Sequence, residues 1–111
     1  MGLVSDGGVH SSLKHLQALI DICDKHNITA YLHIFTDGRD TLPNSSLEYI
    51  ESLDLKKCKI ASVSGRYYAM DRDNRYDRVE KAYDVLTGNS NCFYSSIKQA
   101  INDNYANNIT D

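Results

Sequence analysis

The chain has 111 residues, 41% of them hydrophobic and 24% charged, which suits one compact domain burying roughly 65% of its unfolded surface. Twelve Lys/Arg against fifteen Asp/Glu leave a net charge of −3, arguing against a general nucleic-acid binder. No apolar run approaches the ~20 residues of a membrane span and no signal peptide is visible, so the expectation is a cytoplasmic protein with no membrane partner.

In chain order, Gly2–Val4 reads as the stub of a strand, followed by the polar turn Ser5-Asp6-Gly7-Gly8. A helix starts near Ser11 or Ser12, either of which can cap it. Leu13, Leu16, Leu19/Ile20 and Cys23 recur at helical spacing, and the helix should end near His26-Asn27. Ala30–Phe35 has strand length and β-favouring residues. The loop Thr36–Pro43 follows, its proline suiting the first turn of a helix over Ser45–Leu53.

Lys59–Val63 is a third strand and runs into the charged stretch Ser64–Asp73. A helix from Arg75 to Leu86 carries Val79, Ala82, Tyr83 and Leu86 on one face, with Gly88 placed to stop it. Ile97, Ala100/Ile101 and Tyr105 form a last, weaker helical stripe. Cys23, Cys58 and Cys92 are odd in number and form no CxxC, so they are expected as reduced, buried or half-buried thiols.

Alternating strands and helices predict an α/β fold, a three-layer parallel sheet flanked by helices and joined by right-handed crossovers. The loops Ser5–His10, Asp37–Pro43 and Ser64–Asp73 each follow the carboxyl end of a strand. In an open α/β sheet those ends share one edge, where ligands bind. Three separate segments are therefore expected to meet at one site.

The first loop offers two glycines, His10 and the start of a helix, a combination that suits an anion, although a tight turn with a solvated histidine is the commoner meaning. The second places Asp37, Arg39 and Asp40 within four residues. Its functional reading is an arginine gripping a phosphate or carboxylate beside an aspartate that exchanges a proton; the plain reading is a solvated ion pair. A calcium loop over Asp37–Glu48 is rejected, because Leu42 stands where the turn needs glycine and Arg39 occupies a ligand position.

The third loop holds Arg66 and Arg72, and the next helix adds Arg75 and Arg78, for which a solvated charged face is expected. Arg66 differs by standing directly after a strand and a glycine, and its planar fork matches phosphate and carboxylate oxygens. Tyr67 and Tyr68 read as packing residues, and His15 and His33 as structural. No HExxH, Walker loop or GxSxG is present. On physical grounds alone, the residues describe a binding site for a small, doubly anionic molecule, which a stand-alone module without catalysis would also satisfy.

Ser5-Asp6-Gly7-Gly8-Val9-His10-Ser11, Asp37-Gly38-Arg39-Asp40 and Ser64-Gly65-Arg66-Tyr67-Tyr68-Ala69-Met70-Asp71-Arg72-Asp73 closely resemble three consecutive motifs of cofactor-independent (2,3-bisphosphoglycerate-independent) phosphoglycerate mutase. The likeness continues through Arg78–Tyr83 and covers essentially the whole chain. It implies a partial substrate-binding (phosphotransferase) domain over residues 1–111, part of a larger domain inserted into a metal-binding, phosphatase-like one that this chain lacks. That other domain is implied to be the partner, bringing two Mn2+ or Mg2+ ions and a serine nucleophile, with no metal held here.

Carried over by motif, His10, Arg39, Asp40, Arg66 and Arg72 resemble the family's contacts to 3-phosphoglycerate and 2-phosphoglycerate, and Asp40 the residue that shuttles the hydroxyl proton. One departure is Ser12, where many relatives have a second histidine. The implied activity belongs to the parent enzyme, an isomerase of glycolysis and gluconeogenesis working through a phosphoserine; the fragment alone is expected to be inactive.

Overall fold

The computed structural model describes residues 1–111. The elements are β1 (Gly2–Leu3), α1 (Leu13–Lys25), β2 (Tyr31–Thr36), α2 (Ser46–Glu51), β3 (Lys59–Gly65), α3 (Arg66–Ala69), α4 (Tyr76–Thr87) and α5 (Ile97–Ala106). The three strands form one parallel sheet in the order β1-β2-β3, giving the α/β fold that the alternating pattern implied. No helix is long and apolar enough to cross a membrane.

Strand order follows chain order, so right-handed crossovers through α1 and α2 fall on the same face of the sheet. The core confirms it. Val4, Ile34, Ile50, Leu53 and Ile101 form the buried cluster, and Leu13, Leu16, Leu47, Ile97 and Tyr105 pack around it from α1, α2 and α5. Register on β3 depends on an irregularity: Leu32 pairs with Ile60, but His33 pairs with Ser62 and Ile34 with Val63. The extra residue, Ala61, resets the two-residue alternation, so Ile60 and Val63 both face the core although three residues apart. On the other face His33 Nδ1 and Ser62 Oγ form a 2.8 Å hydrogen bond, which gives this histidine a structural partner.

Several local expectations shift. Ser12 takes the N-cap position of α1 but makes no side-chain cap bond, while the Ser11 hydroxyl donates to the Ser5 carbonyl. Ile20, not Leu19, fills the core position on α1. Pro43 lies ahead of α2 rather than in its first turn, and its carbonyl accepts the Asp111 N–H. Arg66–Ala69, expected as loop, winds into a helical turn directly off β3.

The inward face of α4 also differs from the predicted stripe. Ala82 is buried and Val85 and Leu86 half-buried, whereas Val79 and Tyr83 are exposed. Arg78, one turn before Ala82, takes the inward place instead, for reasons that lie in the loop before the helix. Gly88 ends α4 in the left-handed conformation, as its position suggested. All three cysteines are free; Cys58 is buried and Cys23 half-buried, but Cys92 is exposed, contrary to its sequence reading.

Candidate functional site

The turn after β2 is organised by a buried carboxylate. Asp37 Oδ1 accepts the backbone N–H groups of Arg39 (3.2 Å) and Asp40 (3.0 Å), the side-chain-capped turn that aspartate forms with the residues just after it. Its other oxygen accepts the Ser5 hydroxyl at 2.5 Å, and Ser5 Oγ in turn accepts the Gly7 N–H at 3.0 Å. The loops after β1 and β2 are thus joined by one hydrogen-bonded chain. Gly7 completes the joint by leaving no room for a side chain: a Cβ there would lie 2.9 Å from the Asp40 Cβ.

The third loop enters through Arg66. Its Nη1 donates to Asp37 Oδ1 at 2.6 Å and to Asp40 Oδ2 at 2.7 Å, with the Asp37 side chain only 1% exposed and that of Arg66 12%. Burial alone raises the Asp37 pKa. The hydrogen bonds from the Asp40 N–H, Ser5, Arg66 and the Arg39 N–H outweigh it and hold the carboxyl at about 2. For Arg66, burial disfavours the charge, but hydrogen bonds to Asp40 and Asp37 prevail and raise its pKa. Both groups therefore remain charged across the physiological range.

The arrangement uses one nitrogen of a five-donor guanidinium. The Nε and Nη2 hydrogens of Arg66 meet no acceptor within the chain, so the edge that would grip a carboxylate or phosphate in a two-point fashion is unpaired. Two other expected contacts, Arg39 and Arg72, are exposed, and their side chains take part in no intrachain hydrogen bond or ion pair. His10 is likewise exposed, and it lines a groove of about 580 Å³ with His15, Leu16 and other residues along α1. The fold therefore brings Asp40 and Arg66 into direct contact and leaves His10, Arg39 and Arg72 as solvent-facing groups.

Sequence reasoning named Asp37 among the charged loop residues but gave neither it nor Ser5 a place in this cluster. Asp37 was visible in Asp37-Gly38-Arg39-Asp40, where an aspartate two and three residues before free N–H groups signals a turn, but spacing alone could not show that it was buried. Ser5 gave no signal beyond its place in the loop. A separate carboxylate acts at the start of α2. Asp111 Oδ2 accepts the Ser45 and Ser46 N–H groups at 3.1 and 2.9 Å, capping α2 from the far end of the chain. Its other oxygen accepts the hydroxyls of Ser46 and Tyr105, both at 2.5 Å. Burial, and next the Asp111 carboxylate, push the Tyr105 pKa up.

The loop between α3 and α4 contains a second aspartate whose carboxylate is shielded from water. Asp71 Oδ2 accepts the N–H groups of Asp73 (3.2 Å) and Arg75 (2.9 Å), and Oδ1 faces Arg78 Nη1 at 3.3 Å. The Arg78 guanidinium lies 3.9 Å from the centre of the Tyr67 ring, and Tyr67 meets Tyr68 edge to face. Arg78 is consequently a packed, paired residue and not the solvated charge its helical spacing suggested. Arg75 does match that expectation, pairing with Asp77 at the exposed start of α4.

The donor set does not fit a pair of divalent metals. Nowhere do three or more His, Cys, Asp or Glu side chains gather in a metal-holding group. The closest carboxylate pair, Asp37 and Asp40, already faces a guanidinium whose charge opposes a cation.

The family model described as the BPG-independent PGAM N-terminus matches residues 1–111. Proteins named 2,3-bisphosphoglycerate-independent phosphoglycerate mutase from Parabacteroides distasonis and Mycoplasmoides gallisepticum are 52% and 44% identical to it over the full chain. One from Hydrogenovibrio crunogenus is 47% identical, again over the full chain. The chain spans about a quarter of the length of these relatives, 23% for the first two and 22% for the third. With the family model and these relatives all matching from end to end, the chain belongs to the 2,3-bisphosphoglycerate-independent phosphoglycerate mutase family.

Proposed function

We propose that this chain is the glycerate-holding part of an enzyme that interconverts 3-phosphoglycerate and 2-phosphoglycerate, residues 1–111 forming part of its phosphotransferase domain. One observation carries the reading: Arg66 is clamped by Asp37 and Asp40 where the three loops meet, with its two-point binding edge unpaired. A guanidinium fixed in this way loses little freedom when it takes up a carboxylate or phosphate. Arg39, Arg72 and His10 supply further positive or donor groups from the same loops.

The reaction demands such a holder. The phosphoryl group leaves one hydroxyl of the glycerate and returns to the other, so the intermediate must stay bound and change its presentation without escaping. In this reading Arg66, with Arg39 and Arg72, grips the anionic groups, and His10 contacts the substrate. Asp37 serves as the permanent counter-charge of Arg66, which leaves Asp40 to give a proton to the departing glycerate oxygen in the first transfer and to take one from the attacking hydroxyl in the second. The phosphoryl acceptor and the two Mn2+ or Mg2+ ions belong to the metal-binding, phosphatase-like domain of the same parent chain, and no step through those ions runs on the residues present here.

Turnover of the complete protein tests the proposal. Arg66→Ala and Asp40→Asn should each lower it by about a hundredfold, the scale of a lost charge-assisted contact or a lost proton-transfer group. Arg75→Ala should stay within about twofold, as a surface substitution does. Equal losses at all three positions would remove the distinction on which the assignment rests.

A further inference from the structure

We infer that Asp71 and Arg78 are positioning residues that set the place of Arg72 relative to Arg66. This rests on the substrate-holding role proposed for those two arginines and extends it to residues that touch no substrate. Asp71 directly precedes Arg72, and Tyr67 directly follows Arg66. Arg78 contacts both neighbours at once: its Nη1 faces Asp71 Oδ1 at 3.3 Å, and its guanidinium stacks 3.9 Å from the Tyr67 ring centre.

The Asp71 carboxylate, only 2% exposed, also accepts the Asp73 and Arg75 N–H groups, so the backbone on the far side of Arg72 is tied to the same point. Arg72 therefore projects from a loop fastened on both sides, although its own side chain has no partner. Without that fastening, a free arginine on an exposed loop would have to be ordered each time an anion binds.

The state of Arg78 supports a positioning role. Its Nε is buried and has no hydrogen-bond partner, a cost that the contacts to Asp71 and Tyr67 must offset. The residue is thus held by those two contacts and not by saturation of its fork. Asp73 Oδ2, at 3.6 Å, is its other charged neighbour. Lysine keeps the charge beside Asp71 and over the ring and has no buried Nε–H to leave unpaired, so it should substitute well; leucine keeps the bulk and loses both contacts.

A double-mutant cycle in the complete protein, with KM and kcat for 3-phosphoglycerate measured separately, tests the inference. Arg78→Leu and Asp71→Asn should each raise KM by roughly tenfold, within the range of couplings between contacting residues, and change kcat less. Arg78→Lys should restore KM to within about threefold. In an Arg72→Ala background, Arg78→Leu should add almost nothing, because the group it positions is gone.

A full tenfold effect of Arg78→Leu on top of Arg72→Ala would overturn the inference while leaving the binding role of Arg72 intact. An unchanged KM for Arg72→Ala alone would overturn both. If Arg78→Leu does not fold, Asp71→Asn measured with and without Arg72→Ala provides the same cycle. Additivity there would count against the positioning role.

Discussion

The loop after β2 and the loop between α3 and α4 use the same device and differ in its reach. In each, an aspartate carboxylate shielded from water accepts two backbone N–H groups from the residues that follow it and pairs with one arginine. Around Asp37 that arginine is Arg66, 29 residues away on a different strand–helix junction, and Ser5 joins from a third segment. Around Asp71 it is Arg78, seven residues along the same chain. The first cluster forms only when the sheet is assembled, whereas the second closes a local loop. A loss at Asp37 should be felt across the domain, and one at Asp71 chiefly in the loop that carries Arg72.

The sharpest way to break this comparison is to remove each aspartate. Asp37→Ala leaves the Ser5 hydroxyl, two N–H groups and one side of Arg66 without an acceptor, and should destabilise the domain by about 3–5 kcal/mol in denaturant unfolding. Asp71→Ala should cost less, about 1–3 kcal/mol, since Arg78 keeps Asp73 within reach. Equal losses would show that the two clusters are equally local or equally global.

Acid titration sharpens the same contrast. The Asp37 carboxyl titrates at about 2 in the folded chain against an ordinary 3.8, so its stabilisation is complete above pH 3.8 and disappears as the pH falls through about 2. That shift corresponds to roughly 2 kcal/mol, and an Asp37→Asn variant should lack this part of the acid dependence. Unfolding free energy measured between about pH 5 and pH 2 decides it.

A smaller effect is expected where the far end of the chain meets the loop after β2. Gly38 has φ +59°, and an added Cβ would lie 2.7 Å from the Asp111 carbonyl oxygen. Gly38→Ala should cost about 1–2 kcal/mol, visible as a lowered unfolding midpoint, from strain in the left-handed region together with displacement of the residue that caps α2. Arg75→Ala should be smallest, leaving the unfolding midpoint almost unchanged, because its pairing with Asp77 lies at the water-exposed start of α4. A large change there would mean that the surface pair contributes to the loop after all.

Much of this architecture could be read before any coordinates. Strand-length apolar runs marked all three strands, helical spacing marked α1, α4 and α5, Pro43 pointed to α2, and the position of the charged loops after each strand foretold that Asp40 and Arg66 would meet. The errors have a common cause. Val79 and Tyr83 were assigned inward because apolar residues at helical spacing define a face, yet Arg78 displaced that face once Tyr67 and Asp71 offered it a stack and a counter-charge. Asp37 was legible as a charged loop residue but not as a buried one, because its burial comes from segments far away in the chain.

The sequence by itself determined the kind of every element but the short α3, the edge of the sheet at which the polar loops collect, and the arginines and carboxylates available there. These follow from local sterics and two short periods, 2.0 and 3.6 residues, which neighbouring side chains enforce. Only the tertiary structure decided which carboxylate holds which guanidinium, that Asp111 caps α2, and that the extra Ala61 turns Val63 toward the core. Those choices depend on burial and on contacts between segments distant in the chain, where strengths are set by three-dimensional surroundings that no local pattern encodes.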